Sequence, residues 1–296
     1  GSVYDNIMMK TKYRNKKLSF LYNVMVAQKH RMLYYKQLRR KYMDRCSASP
    51  VWEKQPKAAN NDTIWFCWLQ GIEEAPLLVK RCLESLRKNI PDKIIVIDGN
   101  NLGEYVNMPD YITDKWQRGI IGNAHFSDLL RLELLIEKGG YWIDATVLCT
   151  DSKMLEFIDK QPLFLYSFYY FGFNPEIMEL NNWFIKSCTN NNILCLLREL
   201  LYTYWAENDR AKDYFLTQLF LTMAVEYYKE EYNRMPIVSQ VDSHILATYI
   251  AEPYDEDKYA LLKQTTGFHK LSTRFEAESI QAKDCFYDVV INRGEY

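Results

Sequence analysis

The chain has 296 residues, 48% of them hydrophobic and 25% charged, with a formal net charge of −1, a mix that excludes a disordered or fibrous chain and suits one large core plus an appendage. Seven cysteines, at 46, 67, 82, 149, 188, 195 and 285, are odd in number and form no C-x-x-C pair, so neither a disulfide framework nor a zinc knuckle is expected and a reducing, cytoplasmic setting is. No stretch approaches the roughly 18 to 20 apolar residues of a membrane span or the apolar core of a signal peptide, and Gly1-Ser2 reads as a cloning scar.

Charge is unevenly spread. Residues 1–50 hold twelve Lys and Arg against Asp5 and Asp44, a balance of +10, which leaves −11 for the rest. From about Leu18 to Tyr42 there is no Pro or Gly, and Leu21, Met25, Leu33 and Leu38 recur among basic residues at helical spacing. Residues 1–50 are therefore expected to form a basic helical arm. It could lie on an anionic membrane surface or pack against the main domain or a partner. Nucleic acid is the poorer partner, because the acidic remainder would repel phosphates. Residues 51–62, rich in small, polar and Pro residues, read as a linker, and residues 63–296 as the main domain.

That domain opens with the continuous apolar run Ile64–Leu69, a buried strand closed by Gln70-Gly71. A helix from Pro76 to about Asn89 and a second buried strand, Lys93–Asp98, follow. Strand, helix and strand within 35 residues begin a doubly wound α/β sheet. Trp65 and Trp68 fall on opposite faces of the first strand, so at least one is free to be a core residue. The stretch 104–117 has no clear period.

Ser127–Thr150 concentrates the chemistry. Ser127 reads as an N-cap, Asp128 suits the positive end of a helix dipole, and Gly139-Gly140 ends the helix, which spans Asp128 to about Lys138. Asp128 and Arg131 share one face at i,i+3, where an ordinary surface salt bridge is the plain alternative. Leucines and Ile136 cover most of the remainder, so the helix is expected to be buried nearly all round. Tyr141-Trp142-Ile143 reads as a short buried strand with Asp144 at its C-terminal end, where open α/β sheets bind ligands; a turn cap is the plainer role for Asp144.

Further on, Met154–Asp159 reads as a helical turn and Pro162–Phe168 as a strand. The aromatic loop FYYFGFNPE (168–176) is suited to sugar rings or to core packing. Asn181–Ile185 reads as a short strand, and two helices are expected over Ile193–Ala206 and Ala211–Glu231, the second holding Asp213 and Gln218.

Ser-Asp, Arg three residues on, a Leu-rich helix, Gly-Gly-Tyr and then Asp resemble the retaining glycosyltransferases that include bacterial capsular polysaccharide synthesis proteins, yeast-type initiating mannosyltransferases and clostridial glucosylating toxins. Trp-Ile-Asp-Ala-Thr and Trp-x-Gln-Gly are most similar to the capsular branch. The resemblance implies a glycosyltransferase-A-type α/β fold, Rossmann-like with a mostly parallel sheet. It implies transfer of a hexose from a UDP-sugar to a glycan or lipid-linked glycan of a growing surface polysaccharide, with retention of configuration, at the inner face of the membrane. Asp128, Arg131, Asp144 and Asn182 would be catalytic. Trp68, Gln70 and Gly71 would meet the uracil and ribose, and Asp128, Arg131, Asp144, Ala145, Lys270 and Ser272 the sugar and diphosphate.

A divalent cation, Mn²⁺ or Mg²⁺, would be held by Asp144, Thr146 and His269. Here the sequence departs from the family's Asp-x-Asp motif, because the second acid is the hydroxyl of Thr146, and hard cations prefer carboxylate oxygens. His269, in the closing segment Thr266–Ser272, is the expected replacement ligand. Loss of that acid also admits a second reading, an inactive nucleotide-sugar-binding or scaffolding subunit of a glycan-assembly complex.

Overall fold

The computed structural model describes residues 16–58, 61–91, 93–168, 178–277 and 283–296. Five strands form the central sheet: β1 (Ile64–Cys67), β2 (Ile94–Ile97), β3 (Gly140–Ile143), β5 (Leu163–Ser167) and β6 (Leu180–Ser187), in the order β2-β1-β3-β6-β5. β2, β1 and β3 are parallel. β6 runs antiparallel to β3 and β5, so four of the five strands point one way. A second, two-stranded antiparallel sheet joins β4 (Val147–Cys149) to β7 (Phe268–Lys270).

Alternation along the strands sorts the apolar side chains into two layers. Trp65, Cys67, Trp142, Leu163 and Leu165 face one cluster, completed by α4 (Asn123–Lys138), α6 (Asn192–Glu207) and α7 (Leu216–Tyr227). Ile64, Phe66, Tyr141, Ile143, Phe164 and Tyr166 face another, under α2 (Leu77–Asn89), β4 and β7. The result is a mixed α/β architecture with a mostly parallel central sheet. β2 is less buried than expected because it is the sheet's edge.

The double glycine does more than end a helix. Gly139 (φ +70) gives its N–H to Leu135 O, and Gly140 (φ +106) brings the chain so close to β1 that a Cβ there would lie 2.5 Å from Thr63 O. Several elements differ from the sequence expectation. α4 begins five residues earlier than Asp128, with Gly122 as N-cap, and Ser127 sits inside the helix donating to Ala124 O. Trp116, from α3 (Asp110–Gln117), stacks on Phe126 at 4.0 Å and donates to Asn123 Oδ1, which secures that extra turn. The single helix expected over 211–231 is divided into α7 and α8 (Lys229–Arg234) at Tyr228, whose ψ of 47° leaves the helical range. Of the aromatic loop 168–176, only Phe168 lies within the described residues.

The basic segment does not stand off from the domain. α1 (Lys16–Ser47) packs on α6 and α7, and Tyr35, Leu38, Tyr42, Met43 and Cys46 belong to the same cluster as the sheet. Its cations meet the domain's acids: Arg31 pairs with Asp213 at 2.7 Å, Arg39 with Glu226 and Arg45 with Glu207. The stretch read as a linker includes a 3₁₀ turn, Val51–Lys54, anchored by buried Trp52, whose Nε1 donates to Tyr228 Oη. Leu38→Ala is therefore expected to cost about 2–5 kcal/mol of stability, and the exposed Lys36→Ala under about 0.5 kcal/mol, in urea unfolding. Equal, small effects of both changes would show that α1 is only loosely attached.

Candidate active site

Parallel strands β1 and β3 bring their C-terminal ends to one edge of the sheet, and antiparallel β6 brings its N-terminal end there. Above this edge lies a cleft of about 260 Å³, walled by Cys67–Gln70 at the end of β1, the first turns of α4, Trp142, Asp144, Ala145 and Thr146 around the end of β3, Asn182 from β6, Tyr214 just before α7 and Gln218 in its first turn. Of the residues expected in the site, Trp68, Gln70, Asp128, Arg131, Asp144, Ala145, Thr146 and Asn182 all line it.

Arg131 is the hub. Its side chain is only 6% exposed, and its guanidinium lies 4.6 Å over the Trp142 ring. Nη1 donates to Asp144 Oδ1 (3.1 Å) and Asn182 O (2.6 Å). Nη2 donates to Ser127 Oγ (3.0 Å) and faces Asp128 Oδ1 at 3.2 Å, and Nε donates to Ser127 O (3.2 Å). The pair expected on one helix face is thus a buried hub that reaches two strands. Asp128 also accepts from Asn182 Nδ2 (2.9 Å) and Thr217 Oγ1 (2.7 Å). Burial of so many polar groups is tolerated because each is paired.

One buried acceptor is left over. Gln218 Nε2 donates to the Oδ1 atoms of Asn181 and Asn182, at 3.1 and 3.2 Å, while its Oε1 has no partner among the described residues. Gln218, His125 and Tyr214 line the cleft without having been assigned roles from the sequence. Spacing from the motif could not find Gln218 or Tyr214, since loop 208–215 and α7 reach the site only through tertiary packing. His125 lay one helical turn before Asp128, so extending the helix upstream would have exposed it.

Asp144 is held by three neighbours. Its Oδ1 accepts from Trp142 Nε1 (2.7 Å) as well as Arg131, and its Oδ2 faces Lys270 Nζ at 3.7 Å. Lys270 in turn donates to Thr146 Oγ1 at 2.6 Å. The expected metal ligand His269 does not join them. Neighbouring residues of β7 point to opposite faces, and His269, paired with Leu148, is 1% exposed and bonds Thr150 Oγ1 through Nε2 at 3.0 Å. Gly71, Lys270 and Ser272 also lie outside the cleft lining: Gly71 (φ +93) forms the turn that closes on Trp68 O, Lys270 touches the cleft only through Asp144 and Thr146, and Ser272 Oγ accepts from Arg274 N.

These residues do not fit a divalent cation. Among the described residues no three His, Cys, Asp or Glu side chains group to hold one, and the ammonium of Lys270 stands between the two expected ligands, Asp144 and Thr146. Unit charges 4 Å apart interact by about 4 kcal/mol at an effective dielectric of 20, and a divalent ion would double that repulsion.

A mostly parallel sheet with an acidic strand end, roofed by a helix carrying the Asp-x-x-Arg pair, thus forms a polar cleft in a mixed α/β domain. The capsular polysaccharide synthesis protein model matches residues 13–290, and the chain belongs to that family. No curated protein shows significant similarity to the chain. A solved structure described as PaToxG Glycosyltransferase is similar over 71% of this chain and 83% of its own, at 15% identity and a TM-score of 0.40, too slight a likeness to assign any residue.

The placement of His269 has a pH consequence. Burial, aided by the charge of Lys263, lowers its pKa from the ordinary 6.5 to about 4. The unfolded chain therefore takes up this proton first. The stability it secures is complete above pH 6.5 and falls by about 1.4 kcal/mol per pH unit between 6.5 and 4. His244, also lowered by burial, adds a loss of the same sign. Urea titrations across this range should show the fall, and His269→Leu should make it shallower. An unchanged slope in that variant would mean that His269 is solvated.

Proposed function

We propose that the chain is a retaining glycosyltransferase that moves a hexose from a UDP-sugar to a growing surface-polysaccharide acceptor. The observation that carries this reading is that Asp128, Arg131, Asp144 and Asn182, the first and last 54 positions apart, form one hydrogen-bonded network on the wall of the cleft. Family membership supports the polysaccharide context.

In this reading the indole of Trp68 stacks on the uracil and the Gln70 amide meets its edge. A carboxylate has about four acceptor positions. Asp128 fills three of these with Asn182, Arg131 and Thr217, which leaves one for a sugar hydroxyl. The unpaired Oε1 of Gln218 is a second acceptor for the sugar. The diphosphate lies toward Lys270 and the N-terminal end of α4, where positive charge and helix dipole favour it.

Neither cleft carboxylate stands free to act as a nucleophile, since both are held in ion pairs. This favours attack by the acceptor hydroxyl on the face the diphosphate leaves. The anomeric C–O bond to phosphate breaks with its electron pair passing to the leaving oxygen, that oxygen takes the acceptor proton, and the new C–O bond forms on the same side. Lys270 stabilises the charge that develops on the leaving group.

A panel of UDP-hexoses, assayed for hydrolysis and transfer with the anomeric configuration read by NMR, tests the proposal. Asp128→Asn, which keeps the shape of the side chain, is expected to lower turnover roughly 10²-fold or more. A donor that binds but is never turned over would instead favour the scaffolding reading, and an inverted product would exclude retention.

Residues 1–50 remain a proposed contact with anionic membrane, supported by exposed Lys36 and Arg40 on α1. Deleting α1 would remove core residues, so the fair test is Lys36→Glu/Arg40→Glu. Loss of salt-sensitive sedimentation with anionic vesicles is expected, and unaltered sedimentation would count against the contact.

A further inference from the structure

Where an Asp-x-Asp motif would carry its second acid this chain has Thr146, and the structure sets Lys270, 124 residues later, against its hydroxyl. Lys270 is not a wandering surface lysine. β7 pairs with β4 so that Lys270 lies opposite Val147, and Leu271 N donates to Thr146 O at 2.9 Å, which fixes the lysine beside the strand-end motif. Its Nζ donates to Thr146 Oγ1 at 2.6 Å and Leu271 O at 3.3 Å, and lies 3.7 Å from Asp144 Oδ2. Its side chain is 23% exposed, and although Lys270 is not itself part of the cleft wall, the two side chains its ammonium touches, Thr146 and Asp144, are.

The charges balance. A second carboxylate with a divalent cation would add one net positive charge to this corner of the site. A neutral threonine with a lysine ammonium adds the same. Thr146 is suited to this arrangement, since its hydroxyl accepts from the ammonium without adding a charge that would draw Nζ into a closed ion pair. Asp144, for its part, is already drawn on by protein cations and donors. One oxygen is taken by Trp142 and Arg131, and the other meets Lys270.

We propose that Lys270 occupies the place of the divalent cation, so that this chain binds the diphosphate of its donor through an ammonium held by Thr146 and Asp144, without metal. The proposal rests on the nucleotide-sugar reading above and alters its chemistry in one respect. A lysine is a point charge with three donors, able to keep Thr146 and still meet a phosphate oxygen. No bond is made or broken at Lys270. It remains protonated and offsets charge on the leaving diphosphate.

Calorimetric titration of the full chain with UDP, after treatment with chelator and again with excess Mn²⁺, tests the proposal. The expected result is the same affinity in both conditions, within about twofold. Lys270→Ala should weaken UDP tenfold or more, as loss of a charge-assisted phosphate contact does, with no rescue by Mn²⁺. Uridine, which lacks phosphate, should bind the variant and the parent alike, showing that the cleft remains folded. The double change Thr146→Asp/Lys270→Ser should restore UDP binding only when Mn²⁺ is present. UDP binding that requires Mn²⁺ in the parent, or survives Lys270→Ala undiminished, overturns the proposal while leaving the donor reading intact. Absence of UDP binding with and without Mn²⁺ overturns both.

Discussion

A single buried guanidinium holds the candidate site together. Arg131 rises from α4, yet its partners lie on α4, on the loop after β3 and on β6, so three elements separated in sequence meet at one side chain. An unpaired arginine at this depth would be strongly destabilising, and its planar fork explains why the pairing is so complete: five N–H donors in fixed directions can satisfy two carboxylates, a hydroxyl and two carbonyls at once. Lysine could not do this. The cost of burying the charge is offset only when Asp128, Asp144, Ser127 and Asn182 are all in place, so the network is rigid before any ligand arrives.

That rigidity decides what the acids can do. In an open site Asp128 and Asp144 would be candidates for metal ligation or nucleophilic attack. Here most of their acceptor positions are filled by protein donors, and what remains is suited to one or two directed hydrogen bonds. β7 completes the arrangement from the far end of the chain, because strand alternation sets Lys270 against Asp144 and Thr146 and buries His269 on the other side. A one-residue shift in the β4–β7 pairing would exchange the two and change the chemistry of the site.

The uneven charge of the chain has a structural explanation. Three cations of α1, Arg31, Arg39 and Arg45, face acids on α6, on α7 and in the loop between them, at Asp213, Glu226 and Glu207. Arg31 also lies 5.0 Å over Phe215, and Asp213 caps the backbone N–H of Phe215. α1 thereby holds the segment that carries Tyr214 into the cleft. A helix that looked like an appendage supports one wall of the site.

Local periodicity and turn chemistry were enough to place β1, α2, β3, β5 and α6 within a residue or two, since each is an apolar run or an amphipathic period closed by Gly, Pro or Asn. Spacing put Asp128 and Arg131 on one helix face and Asp144 at a strand end; that the three share a site was implied only by the family resemblance, and the structure joins them through Arg131. The N-terminus of α4 was missed because Trp116 stacking on Phe126 extends it, and the break at Tyr228 because Trp52 and Glu53 bind its hydroxyl; both are contacts between distant segments. Gln218 and Tyr214 entered the site for the same reason. Which of His269 and Lys270 would meet Asp144 and Thr146 was settled by strand register. Register depends on which strands pair, and no local pattern in Thr266–Ser272 contains that information.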